Sequence, residues 1–524
     1  MPSTFMGIEI AKRSLFTQQL AITTTGHNIS NANTEGYSRQ TVNMVAARPM
    51  EYPGMSITTT PGQIGQSVEP QSITRIREDF LDAQFRNANY QLGNYTIQSD
   101  TLEKLQSIMN EPSDTGIRAV LDKFWTAWTD LSKDPENISG RKVVQESAKS
   151  LADAFNTTSR QLSDLHSDLT QNIEAKTTQI NTLSSQLATL NEQIYRIEGL
   201  GNKANDLRDQ RDLLTDQLSK IVNIDVTEAD QGYTINVGGT NLVTGSTFTA
   251  TSSTALEGLF AAGTLQGGEV YGMMYARDVY VSDYQNQLDA LANSLANGEV
   301  EITIPSGSVI PSGTTLNGIP YSGTVLDRTL ADDLKVTVNG VNGLNKLGYS
   351  LDTPAISGLD FFTSTDGSGI TAGNIQLNTV IANDANKVVT SLRSMTNSGG
   401  VEISVSGNNT LAALMSQLKQ SSFTFSSSSG GSATLTNGTV DDLFQAIVGQ
   451  MGVQGQSVSR QADNLQAIVE QVESSRQSVS GVSIDEEMSN LIKYQHAYGA
   501  ASRFMTTIDE MLDKLINSTG VVGR

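Results

Sequence analysis

Apolar positions recur with helical spacing at both ends of the chain and with a different rhythm in the middle. Ile8, Leu15, Ile22 and Ile29 repeat every seven residues, which places them on one stripe of an amphipathic helix over residues 4–29. Ala11, Gln18 and Thr25 hold the companion positions, so that seam is narrow. At the other end Ile484, Leu491, Tyr498, Met505 and Leu512 repeat with the same period, and Tyr494, Ala501, Ile508 and Leu515 fill in between them. This predicts a coiled-coil-like seam along a final helix. Ser483-Ile484-Asp485-Glu486 opens that helix as a capping box, the Ser oxygen and Glu carboxylate satisfying opposite unpaired N–H groups.

Inside these ends, residues 78–220 are strongly helical in pattern. Asp134-Pro135 predicts the start of a long helix running nearly to Ile197. Its later part alternates Ile173, Ile180, Leu187 and Ile194 with Leu169, Leu183, Leu190 and Ile197, and Gly199 and Gly201 stop it. Residues 223–439 are richer in Gly, Ser, Thr and Val. Short alternating runs at 233–237, 300–304 and 334–338 predict strands, and residues 280–297 predict a helix with Leu288, Leu291 and Leu295 on one face. Residues 421–438 form a Ser/Gly-rich stretch that suits a loop or an edge hairpin. Helix resumes near Val440, breaks around Ser480-Gly481 and continues to Asn517. Residues 28–36 are turn chemistry. Residues 38–76, punctuated by Pro49, Pro53, Gly54, Pro61 and Gly62, predict irregular or β structure.

Composition narrows the function. Lys and Arg total 34 against 55 Asp and Glu, a net charge of −21 in 524 residues. A chain this acidic has no cationic stripe for nucleic acid and no basic face for an anionic membrane. It contains no cysteine, which excludes disulfides, thiolate metal sites and cysteine nucleophiles. The first residues carry no basic head followed by an apolar stretch, and no run reaches a membrane span. Of the three histidines, His27, His166 and His496, none stands in a zinc-protease motif. Neither a Gly-x-Ser-x-Gly elbow nor a Gly-Lys phosphate loop occurs. Asp485, Glu486 and Glu487 form an acidic triplet, but they open a helix and complement its dipole there. The expectation is a protein without catalysis, metal or cofactor. The two terminal helices by themselves bury too little to offset the entropy of ordering them. They either pack on the body of the protein or complete their folding against neighbouring copies.

Residues 26–40 (GHNISNANTEGYSRQ) resemble the N-terminal signature of flagellar rod, hook and hook-associated proteins, with His27 where Asn is more usual. Residues 478–517 resemble the paired C-terminal signature of the same family. Residues 125–165 and 476–483 are similar to the hook-associated members. The resemblance implies a multidomain, mainly α fold, with long helices, coiled-coil-like terminal helices, a helical-bundle body and a β-rich central domain, and with the N- and C-termini paired in one domain. The division expected is a terminal helical assembly domain of residues 1–32 plus 483–524 and a helical body of 33–222 plus 385–482. A β/helix extension of 223–299 and a β-rich outer domain of 300–384 complete it.

In that reading Ile8, Leu15, Ile22 and Ile29, with Ile484, Leu491, Tyr494, Tyr498, Met505, Ile508, Leu512 and Leu515, form the assembly interface. Asn28, Asn31, Asn33, Thr34, Gly36 and Tyr37 form the motif turn. The resemblance further implies a secreted, extracellular structural component of the bacterial flagellum, exported through the type III apparatus and self-assembling at the distal end of the hook to join hook and filament. Its implied partners are copies of itself, hook protein, a second junction protein or flagellin, and an export chaperone, with no nucleic acid and no membrane. A hook or rod protein stays open as an alternative, as does a secreted binding or enzymatic protein using the central domain.

Overall fold

A computed structural model describes residues 5–49, 65–110, 113, 116–425 and 435–518. Pro53, Gly54, Pro61 and Gly62 of the region expected to be irregular lie outside the described residues, as do residues 426–434 of the Ser/Gly-rich stretch. The longest helices are α1 (Met6–Ser30), α2 (Asp79–Met109), α3 (Ile117–Lys133), α4 (Ile138–Glu198), α5 (Asn205–Ile221), α6 (Ser282–Asn297), α7 (Val440–Ser480) and α8 (Ile484–Asp513). The fold is mainly α, with small antiparallel sheets between the helices. Contacts group the chain into two compact units. One comprises Met1–Asn94, Glu174–Tyr271 and Asp463–Arg524, and the other Tyr95–Ile173 and Gly272–Ala462.

The first unit holds both ends of the chain, so the termini are paired as expected. A Cβ on Gly7 would meet the Ile508 side chain, and Asn28 hydrogen-bonds Glu487. Advancing along α1 therefore means retreating along α8, and the two helices run antiparallel. A ribbon of β1 (Gln40–Ala46) and β2 (Val68–Arg75), with a bulge between Asn43 and Met44, lies against α1, where the Thr17 hydroxyl donates to the Val68 carbonyl at 3.1 Å. α5 adjoins a meander of β3 (Asp225–Ala229), β4 (Gly232–Val237), β5 (Thr240–Thr244) and β6 (Thr247–Phe248), paired in chain order. Gly232 has φ +110°, and a Cβ there would sit 2.5 Å from Asn191 Oδ1. Only glycine fits this turn, because the Asn191 amide bonds the carbonyls of Tyr233 and Gly245 and receives the Tyr233 N–H.

The second unit is built around an aromatic core. α3 buries Leu121, Phe124, Trp125, Trp128 and Leu131 at helical spacing. Phe361 and Phe362 close over Phe124 and Trp128 with ring centroids 5.6–6.0 Å apart. α6 buries Leu288, Leu291 and Leu295 completely. A sheet of β7 (Glu299–Ile304), β8 (Leu334–Asn339), β9 (Phe423–Thr424) and β10 (Asn437–Gly438) runs in the order β8-β7-β9-β10. Its β7 alternates exposed Glu299, Glu301 and Thr303 with buried Val300, Ile302 and Ile304.

Three details differ from the sequence expectations. α4 begins at Ile138, not at Asp134-Pro135, because the Pro135 carbonyl accepts from the buried Arg141 guanidinium while Asn137 Oδ1 caps the N–H groups of Ser139 and Gly140. The stretch expected to be β also forms the helices Ser253–Ala261, Glu269–Tyr275, Gly340–Lys346 and Thr410–Gln417. Each is nine residues or shorter, too brief for a helical period to show against the surrounding Gly/Ser-rich sequence. The capping box of α8 is half made. Ser483 Oγ accepts the Glu486 N–H, but the Glu486 carboxylate pairs instead with Arg39 at 2.7 Å, an oppositely charged partner being a stronger draw than a backbone N–H.

Candidate functional site

The motif turn forms a joint between α1, the ribbon and α8. Asn28 is 1% exposed, and its amide uses all of its hydrogen-bonding capacity. Nδ2 donates to the Gln40 carbonyl at 2.9 Å and to Glu487 Oε2 at 3.0 Å. Oδ1 accepts from the Gln40 N–H at 3.0 Å and the Tyr37 hydroxyl at 2.8 Å. The side chain thus pairs with the Gln40 backbone as a neighbouring strand would. Arg39 completes the joint, its Nε donating to Glu487 Oε1 at 2.8 Å and its backbone N–H to the Ser480 carbonyl.

Asn31 caps the end of α1, with its Nδ2 on the His27 carbonyl and its Oδ1 accepting from the Thr34 hydroxyl. Gly36 has φ +76°, and a Cβ there would crowd Leu213 at 3.1 Å. Asn33 and Thr34 face solvent. Burial, with Asp206, Asp209 and Glu487 nearby, pushes the Tyr37 phenol well above its ordinary range. A polar cleft of about 680 Å³ opens between residues 32–39 and 473–486.

Beneath the turn lies a buried charge network. Asp206, Asp209, Asp212 and Asp216 share one face of α5. Arg75 donates to Asp209 at 2.7 Å and Asp212 at 2.8 Å. Arg77 forks onto Asp82, Arg86 meets Asp216 at 2.7 Å, and Arg476 from α7 reaches both Asp82 and Asp216. The Ser38 N–H donates to Asp209 Oδ2, which ties the motif turn into the same network.

Two neighbouring aspartates shift in opposite directions. Desolvation pushes the Asp212 carboxyl up, but the guanidinium groups of Arg77, Arg75 and Arg86 and the Tyr233 hydroxyl outweigh it and bring it down to about 2. At Asp209 desolvation outweighs Arg75, and the carboxyl rises. Sequence reasoning missed this cluster. Its signal was present in Asp209, Asp212 and Asp216, spaced at three- and four-residue steps along one face of a helix.

The expected assembly residues are only partly covered within the chain. Ile8, Leu15, Ile22 and Ile29 are half-buried, as are Leu491, Tyr494, Met505 and Ile508. Leu512 is buried, whereas Ile484, Tyr498 and Leu515 are exposed. Along α1 the buried residues are Ala11, Thr17, Ala21, Thr24, Thr25 and Asn28, and along α8 they are Glu487, Ala501 and Leu512, with Gly7 against Ile508 and Asn28 against Glu487 across the pair. Among the described residues no group of three or more His, Asp or Glu is arranged to hold a metal ion, and no helix is long and apolar enough to cross a membrane.

Comparison with known proteins bears on what this joint belongs to. Flagellar hook-associated protein 1 of Bacillus subtilis is 32% identical over all of this chain and all of its own length. The chain belongs to the flagellar hook-associated protein 1 family. Members named flagellar hook-associated protein 1 from Salmonella typhimurium and Escherichia coli are each 26% identical over 97% of this chain and 99% of their own. The flagellar hook-associated protein FlgK helical domain matches residues 102–301, and the flagellar basal body rod FlgEFG protein C-terminal family matches 473–518. A solved structure of the flagellar hook junction protein FlgK from Burkholderia pseudomallei aligns with 76% of this chain and all of its own, at 16% identity and a TM-score of 0.47. Membership of the family makes this chain a structural, axial component of the bacterial flagellum.

Proposed function

We propose that the chain self-assembles through its paired terminal helices at the distal end of the hook and presents the surface on which the filament begins. One observation carries this reading. The α1–α8 pair turns small and polar residues inward and leaves large apolar ones uncovered. Phe16 is 62% exposed, Ile492 51% and Met511 58%, apolar side chains that a partner would cover. The partly covered heptads named above give copies a face to share.

In this reading the partners are neighbouring copies, hook protein below and a second junction protein or flagellin above, with an export chaperone engaged beforehand. The site is extracellular, reached by type III export, and the role is mechanical rather than enzymatic. Electron microscopy of a strain lacking the gene, with its medium assayed for flagellin, tests the placement. Complete hooks without filaments, and flagellin in the medium, are expected. Missing or shortened hooks would move the chain into the hook or rod, and normal flagella would overturn the reading.

A further inference from the structure

The α1–α8 seam raises a problem of alignment. Both helices carry seven-residue repeats, and most of what they bury is small: Ala11, Ala21, Thr24 and Thr25 on α1 and Ala501 on α8. Sliding α8 along α1 by one heptad, roughly 10 Å, brings equivalent positions together again and loses little packing, because small residues interlock weakly. A single alignment is nevertheless present, with Gly7 against Ile508 and Asn28 against Glu487. The seating of Ile508 on Gly7 favours it at one end of the pair, and a polar contact marks it at the other.

We propose that Asn28 and Glu487 form a register lock, which makes them positioning residues for the assembly face. Glu487 is 2% exposed and Asn28 1%, so both are desolvated in the observed alignment. Each Glu487 oxygen is committed, Oε2 to Asn28 and Oε1 to Arg39. Asn28 is in turn fixed to the ribbon through both polar groups of the Gln40 backbone. A one-heptad slip takes the buried Glu487 carboxylate away from both Asn28 and Arg39, while Asn28 keeps its bonds to Gln40 and Tyr37 and loses only the Glu487 partner of its Nδ2. An unpaired buried polar group is penalised far more heavily than a paired one is rewarded, so the lock acts mainly by excluding wrong alignments. This is the role for which a buried polar residue in a helical seam is best attested. The lock holds the heptads of α1 and α8 at fixed heights relative to each other, and hence the face offered to a neighbouring copy. The inference concerns alignment within one chain and does not depend on where in the flagellum the protein sits.

Because the chain has no cysteine, engineered pairs report on alignment without background. Full-length chains carrying Gly7→Cys with Ile508→Cys read the observed register, and Gly7→Cys with Ala501→Cys or Leu515→Cys read the two one-heptad slips. Each is oxidised, and the internal disulfide yield is measured by mass spectrometry. With Asn28 and Glu487 intact, the first pair closes and the slipped pairs stay near background. Asn28→Asp keeps the shape but sets a carboxylate against the Gln40 carbonyl and Glu487, and the ratio of slipped to native product rises about tenfold or more.

If Asn28→Asp loses its helical circular dichroism, Glu487→Gln serves as the second variant, with a several-fold rise expected. Slipped pairs that close as readily as the native pair in the unaltered chain overturn the lock. So does an unchanged ratio in the folded Asn28→Asp chain or in Glu487→Gln. A uniform drop in all three yields at constant ratio marks a merely structural role and also overturns it.

Discussion

The terminal hairpin and the aromatic core of the second unit use similar apolar residues to opposite effect. Phe124 and Trp128 of α3 are wholly covered by Phe361, Phe362 and their neighbours, whereas Phe5, Phe16 and Phe504 of the hairpin are 61%, 62% and 44% exposed. Both regions show clear helical periodicity. They differ in what lies opposite the apolar face. The chain brings two further phenylalanines onto α3 from residues 361–362, but along α1 and α8 it brings small side chains, a narrow ribbon and ion pairs. Periodicity therefore identifies an apolar face without saying whether the same chain covers it. The proposed assembly face lies on this partly open side.

The sharpest way to break this contrast is to put charge on the open face. Leu491→Asp with Met505→Asp is expected to abolish assembly in reconstitution and in cells. It should change the unfolding free energy of the rest of the protein by less than about 1 kcal/mol. Normal assembly by this variant would remove the heptad face from the interface.

In the covered core the expected effect moves to folding. Trp128→Ala should destabilise the second unit by about 3–5 kcal/mol in chemical denaturation, and any weakening of assembly should follow that loss. The Trp128 Nε1–H has no hydrogen-bond partner among the described residues, so the whole effect is packing.

Acid separates the two regions as well. Asp212 sits at about 2 when folded and at its ordinary 3.8 when unfolded. Its contribution is fully present above pH 4 and is lost as the pH falls toward 2, by about 2 kcal/mol. Asp209, shifted upward, takes up its proton more readily when folded and offsets part of that loss. Acid titration followed by tryptophan-free probes of the first unit should show the loss, and Asp212→Asn should flatten it.

The smallest effect is at high pH. Burial and Asp212 push the Tyr233 phenol up to about 12, so its contribution persists to pH 10 and fades as the pH rises toward 12. Tyr233→Phe should remove that alkaline step and reduce stability at neutral pH by about 1.5 kcal/mol, through loss of the bond to Asp212.

Much of the fold was legible because long repeats leave little choice. The seam of α4 through Ile173, Ile180 and Leu187, the leucine face of α6 and the alternation of β7 all appear as their side-chain order predicts. α4 starts three residues beyond Asp134-Pro135, because Arg141, six residues on, takes the Pro135 carbonyl and Asn137 caps the first turn. The short helices at Ser253–Ala261 and Thr410–Gln417 fell below what two turns of apolar spacing can signal. At the joint, the turn itself was visible in Asn31, Gly36 and Tyr37. The role of Asn28 was not, because its partner Glu487 lies 459 residues away.

By itself the sequence determined where the helices run, which stripe of each is apolar, that the ends carry matching heptads and that thiol chemistry is absent. These follow from local periodicity and composition. Only the tertiary structure decided that α1 buries Ala11, Ala21 and Thr24 while Ile8, Leu15 and Ile22 stay half-buried. It also decided that Asp212 holds three arginines around α5, and that one asparagine joins the two ends of the chain. Those outcomes rest on which distant groups meet and lose their water together, and no spacing along the chain encodes that directly.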